Sequence, residues 1–347
     1  MRSQNRATIL FQFQQKNTNM ALATSAPFRA TGVSTLAPAH GTLDPTLLNG
    51  PSTDAPARLR YDPRVYAESQ TGLVRRDMSH FGRFRVWGKD AAALLHHLTT
   101  QDVKNMRPGE VREAVLVNNK ARVLDWVTIM RRHESDFWVI TSPNRKQTFS
   151  QHAIRYVLFR QDVKIDDVAA DDALFGVFGP LAAEVPGPKW PTHRLPCGGF
   201  LTFGATDGAM PCDTDTFNIL RVECGLPVAG SELTEDFNPW EANFDFAISP
   251  NKGCYNGQEV IARLNTYQKI KQKLVGIRLE KPNTGRVLLR FDGKDAGLLT
   301  SSTVSPRFGP IGLAYVRNDW NASGTELEVV CDHPQKATVC ELPFFSS

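Results

Sequence analysis

Arg83-Phe-Arg-Val-Trp-Gly-Lys-Asp-Ala-Ala-Ala-Leu-Leu-His-His-Leu98 changes its period at Gly88. Before the glycine, Arg83 to Trp87 reads as a strand. After it, Asp90 can cap a helix whose apolar positions Ala91, Leu94, Leu95 and Leu98 recur at helical spacing. Beyond Pro108-Gly109 come two strand-like runs, Glu113 to Val117 and Arg122 to Met130, joined by the turn Asn118-Asn119-Lys120, and then a third from Phe137 to Thr141. Arg145 to Phe159 has helical character, and Val163 to Val168 and Leu174 to Val177 read as strands. Strands interleaved with single helices predict an α+β fold, a sheet with helices on one face. A doubly wound nucleotide fold is disfavoured, because no Gly-x-Gly-x-x-Gly follows any strand. Further on, Asp213 or Thr214 can cap a helix through Phe217 and Leu220 that ends at Gly225, with Pro227 as a stop. From about residue 272, short Val, Leu and Ile runs between Gly, Pro and Asn turns predict a small β-barrel or sandwich.

The 347 residues are 41% hydrophobic and 22% charged, enough for two or three packed domains. The net charge of +4 is concentrated at one end: residues 1 to 43 carry Arg2, Arg6, Lys16 and Arg29 and no acidic residue. The remainder is balanced, 36 basic against 36 acidic, which gives no reason to expect nucleic acid binding. That Ser-, Thr- and Ala-rich, acid-free segment has the composition of an organellar transit peptide, expected over residues 1–45, with a Pro- and Gly-marked linker over 46–60. No span approaches the roughly 20 apolar residues of a transmembrane helix. Six cysteines without a Cys-x-x-Cys pair or regular spacing read as reduced thiols, and no metal site is expected.

Two constellations can carry chemistry. In the strand Arg122-Val-Leu-Asp-Trp-Val-Thr-Ile-Met130, alternation directs Asp125 to the face of Val123, Val127 and Ile129. A carboxylate there needs either a structural Arg or Lys or a polar ligand. In Lys252-Gly-Cys-Tyr-Asn-Gly-Gln-Glu259, Gly253 and Gly257 allow close backbone approach and Asn256 can cap the following helix. Cys254 sits beside Lys252, so it is either a reactive thiolate or a buried cysteine in a tight turn. Glu223 with Arg221 is either an exposed helix-end pair or a carboxylate that accepts paired hydrogen bonds from an amino-heterocycle. Trp240, Phe81 and Phe244 are core residues or stacking partners of such a ring.

Taken together, Gly72-Leu-Val-Arg-Arg-Asp-Met-Ser-His-Phe-Gly, Leu98-Thr-Thr-Gln-Asp-Val, Leu220-Arg-Val-Glu-Cys-Gly-Leu-Pro, Pro239-Trp-Glu-Ala, Leu299-Thr-Ser-Ser and Gly312-Leu-Ala-Tyr-Val resemble the glycine-cleavage T-protein over roughly residues 61 to 320. The resemblance implies a T-protein-like, tetrahydrofolate-binding core of sheet-and-helix subdomains over 61–271 and a β-barrel over 272–347. Asp125 matches the first member of the family's acidic doublet. The second is Trp126 here, and the preceding glycine pair is Ala121-Arg122, which weakens the case for aminomethyl transfer. The Lys252-to-Glu259 run resembles instead the signature of YgfZ-type proteins that support iron–sulfur enzymes.

The resemblance therefore implies Glu223 at the pterin edge and Asp125 near the reactive folate nitrogens. Arg221 and Lys252 supply positive charge, Phe81, Tyr255 and Trp240 flank the ligand, and Cys254 acts at the rim on iron–sulfur assembly or client proteins. The implied compartment is the chloroplast, with the mitochondrion as the alternative. The rival function is a folate-dependent aminomethyltransferase or demethylating enzyme.

Overall fold

The hairpin read from the sequence sits at the edge of a five-stranded antiparallel sheet. Its strands lie in the spatial order Val111–Val117, Val123–His133, Asp136–Pro143, Phe81–Trp87, Lys164–Asp167. This computed structural model describes residues 61–204, 206–266 and 270–346. The expected transit segment 1–45 and linker 46–60 lie outside the described residues.

The helices Ala91–Leu98 and Lys146–Arg155 cover one face of the sheet, where Leu94, Leu95, Leu98, Phe149 and Ala153 pack on Phe84, Val86, Leu116, Val127, Ile129 and Val139. Alternation along Val111–Val117 sends Ala114 and Leu116 to this cluster and Val115 and Val117 to the opposite face. The first helix starts where expected, but Asp90 does not cap it; its carboxylate accepts the Asp162 N–H instead, 2.9 Å. The helix Thr214–Glu223 is capped by Asp213, whose side chain accepts from Thr216 N at 2.8 Å. It is followed by Gly225 at φ +73°, a value that favours glycine.

A second five-stranded sheet runs in the order Met210–Pro211, Val74–Asp77, Phe175–Phe178, Gly199–Thr202, Trp190–Thr192. It packs with the helices Pro63–Thr71 and Thr214–Glu223 around Val65, Val74, Phe178, Leu201 and Leu220. Met130 and Ile140 of the first sheet close the same cluster. The last strands form a closed six-stranded barrel, in the order Gln272–Leu279, Gly309–Arg317, Lys294–Ser305, Val287–Phe291, Glu326–Val329, Gln335–Cys340. In Gly309–Arg317 the period of two is explicit. Ala314 and Val316 fill the barrel, while Ile311, Leu313 and Tyr315 pack outward on a core shared with Val115, Val117, Trp126, Trp240 and Phe244. The architecture is thus the α+β core with a C-terminal barrel that the T-protein resemblance implied.

Two expectations are corrected. The pairing of the first hairpin slips between Leu116 and Val117, so that Asp125 faces Leu116 and Val123 faces Val117. This bulge turns Val123 into the Trp126 cluster, and Asp125 shares its face only with Val127 and Ile129. Ala121, at the position of the family's glycines, adopts φ +58° in the hairpin turn, a conformation that costs an L-residue about 1–2 kcal/mol. The cysteines are not all reduced: Cys197 and Cys224 form a disulfide with Cα atoms 5.7 Å apart. They lie 27 residues apart in sequence and are joined only by the tertiary fold.

Candidate functional site

Trp126 is the hub of the site. The strand Val123–His133 brings it to the face of the sheet away from the helices, where it is 3% exposed. It forms part of the wall of two cavities. The larger, about 760 Å³, is lined by Arg112, Glu113, His193, the Cys197–Cys224 disulfide, Phe244 and Phe246, and falls in the size range of small-molecule sites. The smaller, about 200 Å³, lies against Phe81, Ser142, Arg194, Asn218 and Arg221. Leu226 and Pro227 also border both. The indole Nε1–H of Trp126 is buried and has no partner among the described residues. A buried donor without an acceptor costs free energy.

Asp125 lies directly behind this wall with no exposed surface. Its carboxylate accepts the N–H of Trp126 at 2.8 Å and of Ser142 at 3.0 Å. Burial pushes its pKa up, and the charge of Arg194 opposes the rise. Arg194 is the functional-looking residue that the sequence did not reveal. It is 5% exposed, and its Nε donates to Thr128 Oγ1 at 2.8 Å and Nη1 to Ser142 Oγ at 3.4 Å, while Nη2 reaches the Trp126 carbonyl. The guanidinium stacks on Trp126 at 4.6 Å and on Phe81 at 5.8 Å. Burial pulls its pKa down, against the attraction of Asp125 and Glu113. Among the described residues no cation lies within ion-pair distance of Asp125. The carboxylate is held by backbone N–H groups and balanced by Arg194 from further off.

The other predicted residues separate. Phe81 and Arg221 line the smaller cavity, but Arg221 is largely engaged in structure. It donates to Asn218 Oδ1 at 2.7 Å and Ser301 Oγ at 2.8 Å, and pairs at 3.4 Å with the fully buried Glu232. Glu223 faces a third recess of about 390 Å³ with Phe178, Leu220 and Arg307. There its Oε1 accepts from Tyr66 Oη at 2.8 Å and Ser305 Oγ at 2.5 Å, and burial raises its pKa against those two hydrogen bonds. Cys197 and Cys224 border both this recess and the large cavity, so the disulfide stands between Glu223 and Trp126. Of the two alternatives left open by the sequence, the exposed helix-end pair is not seen: Arg221 and Glu223 are both buried and bond to other residues.

Lys252, Cys254, Tyr255 and Trp240 line none of these three cavities. The Lys252 ammonium donates to the carbonyls of His96, Thr99 and Gln101 at 2.5, 2.6 and 2.8 Å, closing the end of the helix Ala91–Leu98. Burial pulls its pKa down to about 7, while the three carbonyls favour the charged form. Its charge is directed to that helix end rather than to Cys254, whose side chain is exposed. Tyr255 is buried under Lys252, 4.5 Å from the ammonium to the ring, and Trp240 donates to the Ile261 carbonyl at 3.0 Å within the core. Gly257, at φ +74°, makes its close approach to the hairpin turn, where an added Cβ would meet the Asn118 carbonyl at 2.7 Å. Asn256 donates to the Val117 carbonyl and Tyr156 Oη, both at 3.1 Å, rather than capping the helix Gln258–Thr266. The Lys252-to-Glu259 run thus braces the hairpin that carries Asp125 and Trp126.

The sequence also gave no signal for Glu113 and His193. Glu113, 7% exposed, accepts from Thr192 Oγ1 at 2.5 Å and from His193 Nδ1 at 2.8 Å. Residues 190–199 carry no helical or strand period long enough to place a side chain. Among the described residues no three His, Cys, Asp or Glu side chains converge on a metal position, and no helix is long and apolar enough to cross a membrane.

A sheet-and-helix core that joins a closed six-stranded barrel is the aminomethyltransferase architecture. Residues 67–187 match the GCVT N-terminal domain and residues 272–346 the glycine cleavage T-protein C-terminal barrel domain. The chain is 30% identical over 317 residues to the Arabidopsis thaliana protein named "Putative transferase At1g60990, chloroplastic", covering 79% of this chain and 72% of that one. It is 29% identical over 320 residues to the aminomethyltransferase of Geobacillus thermodenitrificans, covering 78% and 86%. The solved aminomethyltransferase T of Bartonella henselae superposes with a TM-score of 0.69 at 22% identity, covering 81% of this chain and 88% of that one. The chain belongs to the glycine-cleavage T-protein family.

Proposed function

We propose that this protein binds tetrahydrofolate in the large cavity beside Trp126 and supports assembly or repair of iron–sulfur enzymes in the plastid. The family binds tetrahydrofolate, and one observation carries the reading here. The large cavity is walled by the aromatic rings of Trp126, Phe244 and Phe246. A flat heterocycle of the folate class suits an aromatic-lined cavity of this size. Asp125 would sit one residue from the ligand, but its oxygens are turned into the sheet backbone. That placement favours a binding role over proton transfer in an aminomethyltransferase. The exposed Cys254, and the likeness of its motif to YgfZ-type proteins, support a thiol that works on a protein partner. The chloroplastic relative supports the plastid.

Calorimetric titration of residues 61–347 with tetrahydrofolate tests this. Saturable binding is expected, weakened by Phe246→Ala, which removes the exposed ring of the cavity wall. Cys254→Ala should leave binding intact and lower the activity of iron–sulfur client enzymes in plastids. Turnover of a one-carbon donor that Asp125→Asn abolishes would favour the transferase instead. Absence of binding by the folded protein would sink the folate reading.

A further inference from the structure

The disulfide is a partition between two cavities. Cys197, Gly198 and Cys224 border both the large cavity of about 760 Å³ and the recess of about 390 Å³ that holds Glu223, and the two share no other lining residue. Glu223 is buried and precedes Cys224 in the chain. It takes both of its hydrogen bonds on Oε1, from Tyr66 Oη and Ser305 Oγ, and its Oε2 accepts none among the described residues.

The two sides of the partition are anchored unequally. Cys224 ends the helix Thr214–Glu223, where its N–H donates to the Leu220 carbonyl at 3.0 Å, Gly225 N–H to Val222 at 3.0 Å and Leu226 N–H to Arg221 at 2.7 Å. An added Cβ at Gly225 would stand 3.0 Å from the Leu342 side chain, so this end is also packed. Cys197 lies instead in the turn that leads into the strand Gly199–Thr202, closed by the Gly198 N–H on the Leu195 carbonyl at 2.9 Å. It is exposed, and its φ of +57°, followed by +85° at Gly198, is a left-handed value that an L-residue adopts only at a cost. The bond to Cys224 ties this turn to the helix end. When the bond breaks, the turn is the side free to move.

Resting on the folate reading above, we infer that the Cys197–Cys224 bond is a gate operated by a dithiol protein reductant, and that its reduction joins the recess to the large cavity and brings Glu223 to the ligand. A thiolate of the reductant attacks Sγ of the exposed Cys197; the S–S bond breaks, its electron pair goes to Cys224, and that sulfur takes up a proton. The reductant's second thiolate attacks its own sulfur in the mixed disulfide, and Cys197 leaves as a thiolate that is protonated in turn. The reductant ends as a disulfide, oxidised by two electrons, and the chain carries two thiols. With the turn withdrawn, the unengaged Oε2 of Glu223 accepts from N–H groups of the bound heterocycle, so the reduced chain is the tighter binder.

The experiment titrates the full chain with tetrahydrofolate anaerobically, oxidised and after reduction by dithiothreitol, with alkylation of Cys197 and Cys224 to verify each state. The reduced chain should bind about 10-fold or more tightly than the oxidised one, the range of a hydrogen bond to a charged group. Cys197→Ser should bind like the reduced chain without dithiothreitol, and Glu223→Gln should remove the difference between the two states. Equal affinity in both states overturns the gate and keeps the folate reading. Hydrogen exchange reads the partition without a ligand: reduction should raise exchange at residues 195–199 and leave the helix Thr214–Glu223 protected. With that rise present, a folded chain that binds in neither state sinks the folate reading and upholds the gate. No rise, or loss of the fold on reduction seen by circular dichroism, makes the bond structural only and overturns the gate whatever binds.

Discussion

Replacing Arg194 by Met is the sharpest test of the wall behind the cavity. The change removes the buried cation that balances Asp125 and Glu113, and leaves Thr128 Oγ1, Ser142 Oγ and the Trp126 carbonyl without their donor. Breaking such an arrangement by removing one member costs about 3–5 kcal/mol. Asp125 and Arg194 are further apart than 4 Å, so their mutual attraction is below the roughly 4 kcal/mol that unit charges exchange at 4 Å in an effective dielectric of ~20. A coupling of about 1–2 kcal/mol is therefore expected in a double-mutant cycle with Asp125→Asn. The sign with pH follows from the raised pKa of Asp125. A carboxyl whose folded pKa lies above its unfolded value contributes stability that is fully present below 3.8 and lost as pH rises through the folded value. Without Arg194 that folded value climbs further, so the deficit of Arg194→Met should be smaller at pH 5 than at pH 8. Urea unfolding of residues 61–347 and of the three variants at both pH values gives all of these quantities. A loss under about 1 kcal/mol, or a coupling indistinguishable from zero, would show that Arg194 does not balance Asp125.

Lys252→Met should lower stability by about 2–4 kcal/mol, because the three carbonyls at the end of the helix Ala91–Leu98 lose their donor. Hydrogen exchange should localise the loosening to residues 91–101, and a variant as stable as the wild type would refute the capping role. Reducing the Cys197–Cys224 disulfide should cost about 3–4 kcal/mol for a loop of 27 residues; an unchanged urea midpoint in dithiothreitol would show that the link does not constrain the unfolded chain.

Much of the architecture was legible because it rests on local periodicity. The change of period at Gly88, the turn at Asn118 and the run of short strands after residue 272 each state an element type in adjacent residues. The buried Asp125 was legible for the same reason: alternation within one strand sends it inward whatever packs outside. The bulge that separates it from Val123 was not, since it depends on pairing with Val111–Val117. Glu223, Arg221 and Lys252 could be singled out as charged groups near glycines and helix ends, but charge states only that a partner is needed. Of their partners, Tyr66 and Ser305, Ser301, and three carbonyls around the end of the helix Ala91–Leu98 are distant in sequence, and only Glu232 is near.

The sequence by itself determined which elements form, which face of each is apolar, and the family to which the pattern of motifs points, because these follow from the order of residues along the chain. The tertiary structure alone decided what meets at the cavity. Arg194 beneath Trp126, Glu113 behind His193 and Cys197 bonded to Cys224 are contacts between segments 27 to 80 residues apart. A side chain's neighbours across such distances are set by how the two sheets and the barrel pack, and no local period encodes them.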